Sequence, residues 1–349
     1  MAFISRKKNI YPINQDLRKY LIKYGREIKL PIHYDDIAQF DNAITLYDKE
    51  GKDTLWETVF YPPHRIDEIY RGLKVMYVEL KIGGDLSVAR HLTVDRVDLC
   101  VYANTRPFRV RIVNTLNDNF DYFYIKRADA SRIYGLELEH ILSPNRISYI
   151  SSGDTVVEEH IAGVPGNQFI KNHLKDKHLN SIRLVKEFVK FNERCFVRLL
   201  GDMHSSNFVI IATQDFDEIH YRIRAIDFDQ QSYEGKKTVF LPQYFKQNNP
   251  IIELGYSRLS PESVHQYQSE EKSMIASRLN TTGNRIFALT DVMADDDIAP
   301  FENVMHLRNQ LANHYENSVF YGCESMGDIV KESLRLVLRE VEEYHRNIR

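Results

Sequence analysis

Residues 197–210 read Val-Arg-Leu-Leu-Gly-Asp-Met-His-Ser-Ser-Asn-Phe-Val-Ile, and residues 224–229 read Arg-Ala-Ile-Asp-Phe-Asp. Each stretch is apolar and strand-like and delivers a carboxylate, Asp202 in the first and Asp227 in the second, and the amide of Asn207 follows Asp202. Two carboxylates about 4 Å apart repel one another by roughly 4 kcal/mol at an effective dielectric constant near 20, so a cation or a bound proton must offset the repulsion. Because carboxylate and amide oxygens are hard ligands, the two segments predict a site for Mg²⁺ and a nucleotide phosphate.

The two motifs, Gly-Asp-x-His-x-x-Asn and Ile-Asp-Phe-Asp, resemble those of the protein-kinase-like superfamily, in particular its aminoglycoside and choline kinase-like phosphotransferases. The resemblance implies that Asp202 is the catalytic base and that Asn207 and Asp227 bind Mg²⁺ on the phosphates of ATP. It implies for Asp229 either a second metal ion or a hydrogen bond within the loop. Leu200 stands where the family has a histidine before Gly-Asp, a structural position, so no catalytic group is lost.

Upstream of these motifs, the sequence contains the strands and the lysine that such a fold requires. Residues rich in β-branched and aromatic side chains predict three strands, at 96–103, 108–114 and 120–127. Lys126, at the end of the third strand, takes the place of the lysine that grips ATP. A helix follows, with Asp129 or Ser131 as its cap. Glu137 and Glu139 are both candidates for the ion-pair partner of Lys126, and we favour Glu137.

Two further strands are predicted at 147–150 and 154–161, before Ala-Gly-Val-Pro-Gly. By position, this segment resembles the hinge where adenine bonds to the backbone, which places Glu159, His160 and Ile161 at the cofactor. Residues 104–107 contain no glycine, so a Gly-x-Gly-x-x-Gly loop over the phosphates is missing. Its absence is typical of the small-molecule kinases, and it leaves a nucleotide-binding pseudokinase as an alternative.

The two motifs are also compatible with two other interpretations. Asp and Asn are common at strand ends because their side chains bond to nearby backbone and favour turns. Gly-Asp-x-His also occurs in metallophosphoesterases, which need further Asn and His motifs downstream, and the sequence after residue 229 contains no Gly-Asn-His or Gly-His-x-His. The order and separation of the two motifs therefore favour the kinase-like interpretation.

Composition is ordinary for a globular enzyme. The chain has 349 residues, 43% hydrophobic and 27% charged, with a formal net charge of −3, so we expect no nucleic-acid partner. No segment has the length of a membrane span or the apolar core of a signal peptide, and Cys100, Cys195 and Cys323 are isolated. These features predict a cytoplasmic protein that does not bind membranes.

The predicted fold is α+β: a two-lobed protein-kinase-like fold with a small antiparallel β lobe, a mostly helical large lobe and an N-terminal extension. The predicted boundaries are 1–94 for the extension, 95–162 for the small lobe and 163–349 for the large lobe. Helices are predicted at 14–24, 64–80, from 181 onward, 261–279, 283–293, 299–316 and 326–347, with a hairpin at 43–61.

The predicted activity is an ATP- and Mg²⁺-dependent transfer of phosphate to a hydroxyl of a small molecule or of a protein. The acceptor is not specified by the sequence. Besides the pseudokinase, transfer of AMP instead of phosphate is an alternative, because fold does not determine function.

Overall fold

The computed structural model describes residues 8–103, 105–216 and 218–348. Residues 1–7 of the predicted N-terminal extension lie outside that range. The described chain is of the α+β class, with antiparallel strands and many helices. No helix within it is both long enough and apolar enough to span a bilayer.

The chain divides into two compact units. The first, here called the sheet unit, comprises Pro12–Asp129 and Ile147–His160, and the second, the helical unit, comprises Ala130–Arg146, Ile161 onward and the described residues up to Tyr11. Residues 12–94 of the predicted extension belong to the sheet unit together with the strands of the predicted small lobe. The helix after Lys126 belongs to the helical unit.

The sheet unit is built on seven antiparallel strands in the order β1-β2-β3-β4-β5-β7-β6. Its strands are β1 (Asn42–Tyr47), β2 (Asp53–Phe60), β3 (Leu92–Cys100), β4 (Phe108–Asn114), β5 (Phe120–Arg127), β6 (Tyr149–Ser152) and β7 (Thr155–Glu159). Its helices are α1 (Gln15–Lys23), α2 (Tyr34–Ile37) and α3 (Pro63–Ile82). Residues 12–94 join this unit because β2 extends the sheet by pairing with β3, in the register Trp56↔Cys100 to Thr58↔Asp98.

Alternation along the strands gives the sheet one apolar face. On β4, Phe108, Val110 and Ile112 are buried, and they belong to the same core as Leu73 and Met76 of α3. Burial of each such side chain contributes about 1.5–3 kcal/mol. The sequence patterns thus predicted β4, β5 and α3 correctly, and the 43–61 hairpin is confirmed as β1 and β2.

The helical unit contains seven α-helices among its described residues and one small sheet. The helices are α4 (Ala130–Leu142), α5 (Gly166–Asn172), α6 (Ser181–Arg198), α7 (Asn249–Arg258), α8 (Pro261–Ala294), α9 (Phe301–His314) and α10 (Met326–Ile348). The sheet has the order β10-β9-β8, with β8 (Val164–Pro165), β9 (Phe208–Asp215) and β10 (Glu218–Ala225). In this unit α8 packs against α4, α6 and α10.

The prediction of separate helices at 261–279 and 283–293 is wrong, since α8 is continuous. The hydroxyls of Thr281 and Thr282 donate to the carbonyls of Ser277 and Arg278 one turn earlier, so both polar groups are satisfied within the helix. Gly283 costs a helix interior only about 1 kcal/mol. α8 has buried residues both before and after Gly283, such as Leu279 and Ile286, and their packing stabilises both halves of the helix.

Candidate functional site

A β-hairpin brings the two motifs together. Strands β9 and β10 pair from Glu218↔Asp215 to Ala225↔Phe208, so the residue before β9 faces the residue after β10. The backbone N–H of Ile226 donates to the carbonyl oxygen of Asn207 at 3.0 Å. Asn207 and Asp227 are therefore neighbours, although they are 20 positions apart in the chain.

The loop that carries Asp202 is fixed by hydrogen bonds on both of its sides. Asp202 has φ +62°, a left-handed conformation that aspartate tolerates better than most residues. Its N–H donates to the carbonyl oxygen of Val239 at 3.1 Å, and Nδ2 of Asn207 donates to the carbonyl oxygen of Asp202 at 2.8 Å. A Cβ at Gly201 would lie 2.9 Å from the carbonyl oxygen of Gln230, so the Gly-Asp sequence is required by the close approach of these two segments.

The carboxylates in this region repel one another, which disfavours the charged form of Asp202. Burial raises the pKa of the Asp202 carboxyl to about 7. Repulsion from Asp227 is the next cause, followed by repulsion from Glu234 and Asp229. These four residues are called the acidic cluster below. Glu234 is buried, and sequence reasoning missed it because it belongs to neither motif.

A buried arginine compensates part of this charge. Arg132 of α4 is 1% exposed, and its Nη2 lies 2.8 Å from Oδ1 of Asp227 while its Nε lies 2.8 Å from Oδ1 of Asp229. Sequence reasoning missed Arg132 because it belongs to neither motif. Arg132 contacts two carboxylates of the acidic cluster, Asp227 and Asp229, and no such contact joins it to Asp202 or Glu234 among the described residues.

The donor groups of the cluster fit Mg²⁺ chemically. Nδ2 of Asn207 is used by the Asp202 carbonyl, which leaves Oδ1 as the acceptor of this amide, and Asp227 and Asp229 add further hard oxygens. Within residues 8–103, 105–216 and 218–348, no group of three or more His, Cys, Asp or Glu side chains is arranged to hold a metal ion. The positive charge beside Asp227 and Asp229 is that of Arg132, so the metal roles of Asn207, Asp227 and Asp229 stay predictions.

Lys126 lies in the sheet unit and has a partner there. Its Nζ is 2.9 Å from Oε2 of Glu158 on the neighbouring strand β7, and both side chains are buried. Glu159 accepts a hydrogen bond from the backbone N–H of Ser148 at 3.0 Å. Sequence reasoning missed Glu158 as a partner, because cross-strand neighbours depend on the register of β5 and β7, which no motif reveals.

The two glutamates proposed as partners of Lys126 lie in the helical unit, each with an arginine. Nε of Arg285 is 2.8 Å from Oε1 of the fully buried Glu137. Burial alone would raise the pKa of Glu139, but its ion pair with Arg198 lowers it. These contacts do not support a pairing of either glutamate with Lys126, which stays a prediction. Ile161 is buried in the helical unit, and its predicted role at the adenine also stays a prediction.

The comparisons with known proteins do not assign the chain to a family. No protein-family model and no curated protein matches it. Among solved structures it is similar to the autoinhibited serine kinase domain of the giant muscle protein titin, with 12% identity, a TM-score of 0.31, and coverage of 70% of this chain and 92% of that chain. A likeness at this TM-score establishes neither a shared fold nor an activity, so the functional argument depends on the geometry of the acidic cluster.

The raised pKa of Asp202 predicts a pH-dependent effect of Asp202→Asn. Because the folded-state pKa of about 7 exceeds the unfolded value, folding favours the protonated form, and stability is lost as the pH rises from about 4 to 7. The neutral asparagine also tolerates the left-handed backbone. Thermal unfolding should show little gain for Asp202→Asn at about pH 4.5 and a gain of up to about 4 kcal/mol at about pH 8. The exposed Asp215→Asn is the control, and an equal gain for Asp202→Asn at both pH values would contradict the electrostatic argument.

Removal of Arg132 should leave two carboxylates without their cation. Arg132→Met is expected to lower the free energy of unfolding by about 3–5 kcal/mol, and millimolar Mg²⁺ should restore part of this loss because it can replace the missing charge. Arg198→Met is the matched control, since this buried arginine has one carboxylate partner, Glu139, which is too little to hold Mg²⁺. The measurement is the melting temperature of each variant with and without Mg²⁺. If Mg²⁺ raised the melting temperatures of the two variants equally, a cation site at Asp227 and Asp229 would be excluded.

Proposed function

We propose that the chain is a kinase-like phosphotransferase that transfers the γ-phosphoryl group of ATP to a hydroxyl of a small molecule, with Mg²⁺ as its cofactor. The observation that carries the proposal is the convergence of Asp202, Asn207 and Asp227. They come from two separate motifs and are joined by a loop–hairpin contact through the Ile226–Asn207 and Asn207–Asp202 hydrogen bonds.

Asp202 is proposed to accept or orient the proton of the acceptor hydroxyl. A general base is most effective when its pKa lies near the working pH, and burial together with the neighbouring carboxylates raises the pKa of Asp202 to about 7. Its left-handed backbone and its bonds to Val239 and Asn207 hold the carboxylate in one place. Such positioning supplies much of the rate enhancement in phosphoryl transfer.

Asn207, Asp227 and Asp229 are proposed to hold Mg²⁺, which when bound neutralises charge on the phosphates. Arg132 contacts both Asp227 and Asp229 and places a positive charge between them, so the two carboxylates lie together at a lower electrostatic cost. Lys126, Glu137, Glu139, Glu159 and Ile161 keep the cofactor-binding roles that the resemblance implies, as proposals. The aminoglycoside and choline kinase-like branch, and the cytoplasmic location, belong to the proposal in the same way.

The proposal predicts metal-dependent binding of ATP. MgATP should raise the melting temperature, by the equivalent of about 2.7 kcal/mol at 100 times its dissociation constant, and ATP with EDTA should do so much less. Asp227→Asn should weaken MgATP binding, whereas Asp202→Asn should bind it nearly as tightly and turn over roughly 10² to 10⁴ times more slowly. Calorimetric titration of both variants separates the two roles.

Three outcomes would count against this function. No stabilisation by any purine nucleotide would exclude an ATP enzyme. Normal MgATP binding without turnover of any hydroxyl acceptor would identify a nucleotide-binding pseudokinase. Transfer of label from α-phosphate-labelled ATP, and none from γ-labelled ATP, would show transfer of AMP.

A further inference from the structure

The helical unit contains a cavity of about 570 Å³, a volume typical of small-molecule sites. Its walls come from α6, α8, α10, the C-terminal end of α9 and the segment 237–244, and none of the four acidic-cluster residues lines it. We refer to it as the second cavity.

One wall of the second cavity presents both signs of charge. Nζ of Lys272 lies 2.8 Å from Oε2 of Glu340 and 3.7 Å from Oε1 of Glu193. Burial alone would lower the pKa of Lys272, but the two glutamates outweigh burial and raise it, so the lysine stays protonated. An ammonium beside two carboxylates offers donors and acceptors side by side. Hydroxyl groups match such a wall because each can donate and accept.

The segment 237–244 supplies a cation that no acid compensates. Nζ of Lys237 lies 3.1 Å from Nδ1 of His314, and no carboxylate among the described residues forms a salt bridge with it. Burial, followed by the charges of Lys237 and Lys272, lowers the pKa of His314, so its imidazole is neutral and accepts from Lys237. The positive charge of Lys237 is therefore not compensated within the second cavity, and one anionic group of a ligand would compensate it.

Aromatic rings form the apolar part of the lining. Phe196 and Tyr315 stack with ring centroids 5.9 Å apart and an interplanar angle of 26°. The Tyr315 hydroxyl has no hydrogen-bond partner within the part of the chain that the structure describes. Ring faces beside a few polar groups are typical of pockets that fix an organic ligand in one orientation.

We propose that the second cavity binds a small polyol that carries one anionic group, such as a sugar phosphate or a sugar acid. Its anion lies at Lys237, its hydroxyls at Lys272, Glu193, Glu340 and the Tyr315 hydroxyl, and its carbon skeleton against Phe196. This site is additional to the proposed phosphotransfer site and does not depend on it. The segment 237–244 also contacts Asp202, because the carbonyl oxygen of Val239 accepts a hydrogen bond from the Asp202 N–H. The proposed ligand therefore lies beside the segment that positions Asp202.

Calorimetric titration of the full chain, without nucleotide, tests this proposal with four probes: glucose 6-phosphate, glucuronate, glucose and inorganic phosphate. At least one of the two anionic sugars should bind at least roughly tenfold more tightly than glucose or phosphate, because only they use both ends of the cavity. Lys237→Gln should weaken that binding by roughly tenfold to a hundredfold, as expected for loss of a charge-assisted hydrogen bond. Lys236→Gln is the matched control, since Lys236 is exposed and does not line the cavity.

Two further variants keep the test decisive. Tyr315→Phe keeps the ring and should weaken the anionic sugar by roughly threefold to tenfold. Asp202→Asn should bind it as tightly as the parent protein. The proposal is overturned if neither anionic sugar binds, if phosphate alone binds as tightly, or if Lys237→Gln matches Lys236→Gln. It is equally overturned if Asp202→Asn abolishes binding, because the ligand would then lie at the acidic cluster.

Discussion

The contact of Arg132 with Asp227 and Asp229 is the interaction on which the candidate site depends. Four carboxylates in a partly buried region are unstable unless positive charge reaches them. Arg132 supplies that charge from α4, and it lies near the start of a helix whose side chains are buried along most of its length. One arginine cannot compensate the charge of four carboxyl groups. Burial and the remaining repulsion from its neighbours therefore raise the pKa of Asp202.

The rest of the helical unit holds this arrangement in place. The β9–β10 hairpin joins the two motifs, Gly201 allows the Asp202 loop to approach Gln230, and the carbonyl of Val239 fixes Asp202 from the other side. An ion pair of Glu137 with Arg285 joins α4 to α8, and a buried ion pair of Glu139 with Arg198 joins α4 to α6. Loss of one partner of a buried pair is strongly destabilising because it leaves a buried charge without compensation.

The sequence was most informative where local pattern and local chemistry decide the structure. Strand β4, the hairpin of β1 and β2, and helices α3 and α10 follow from the spacing of apolar residues, and the closeness of Asp202, Asn207 and Asp227 follows from motifs at two strand ends. It was least informative where a contact depends on distant neighbours. The contact of Lys126 with Glu158 depends on sheet register, and nothing local distinguishes Arg132 from other helix arginines. The predicted pairing of Lys126 with Glu137 or Glu139 stays a prediction.

The same limit applies to the larger organisation of the chain. The sequence of residues 12–94 did not predict that β2 pairs with β3, because strand pairing across a long connection has no local signature. The continuity of α8 through Gly283 likewise depends on packing at both of its halves, which outweighs a modest intrinsic preference against helix.

The proposed transfer of phosphate at the acidic cluster is tested most directly by ³¹P NMR of ATP. The protein would be incubated with MgATP and a mixture of hydroxyl-bearing metabolites, beside a parallel sample of Asp202→Asn. We expect the γ-phosphate resonance to disappear, ADP to form and a new phosphoester resonance to grow, with all three changes much slower in the variant. Unchanged ATP in both samples, or equal rates in the two, would contradict the proposed transfer.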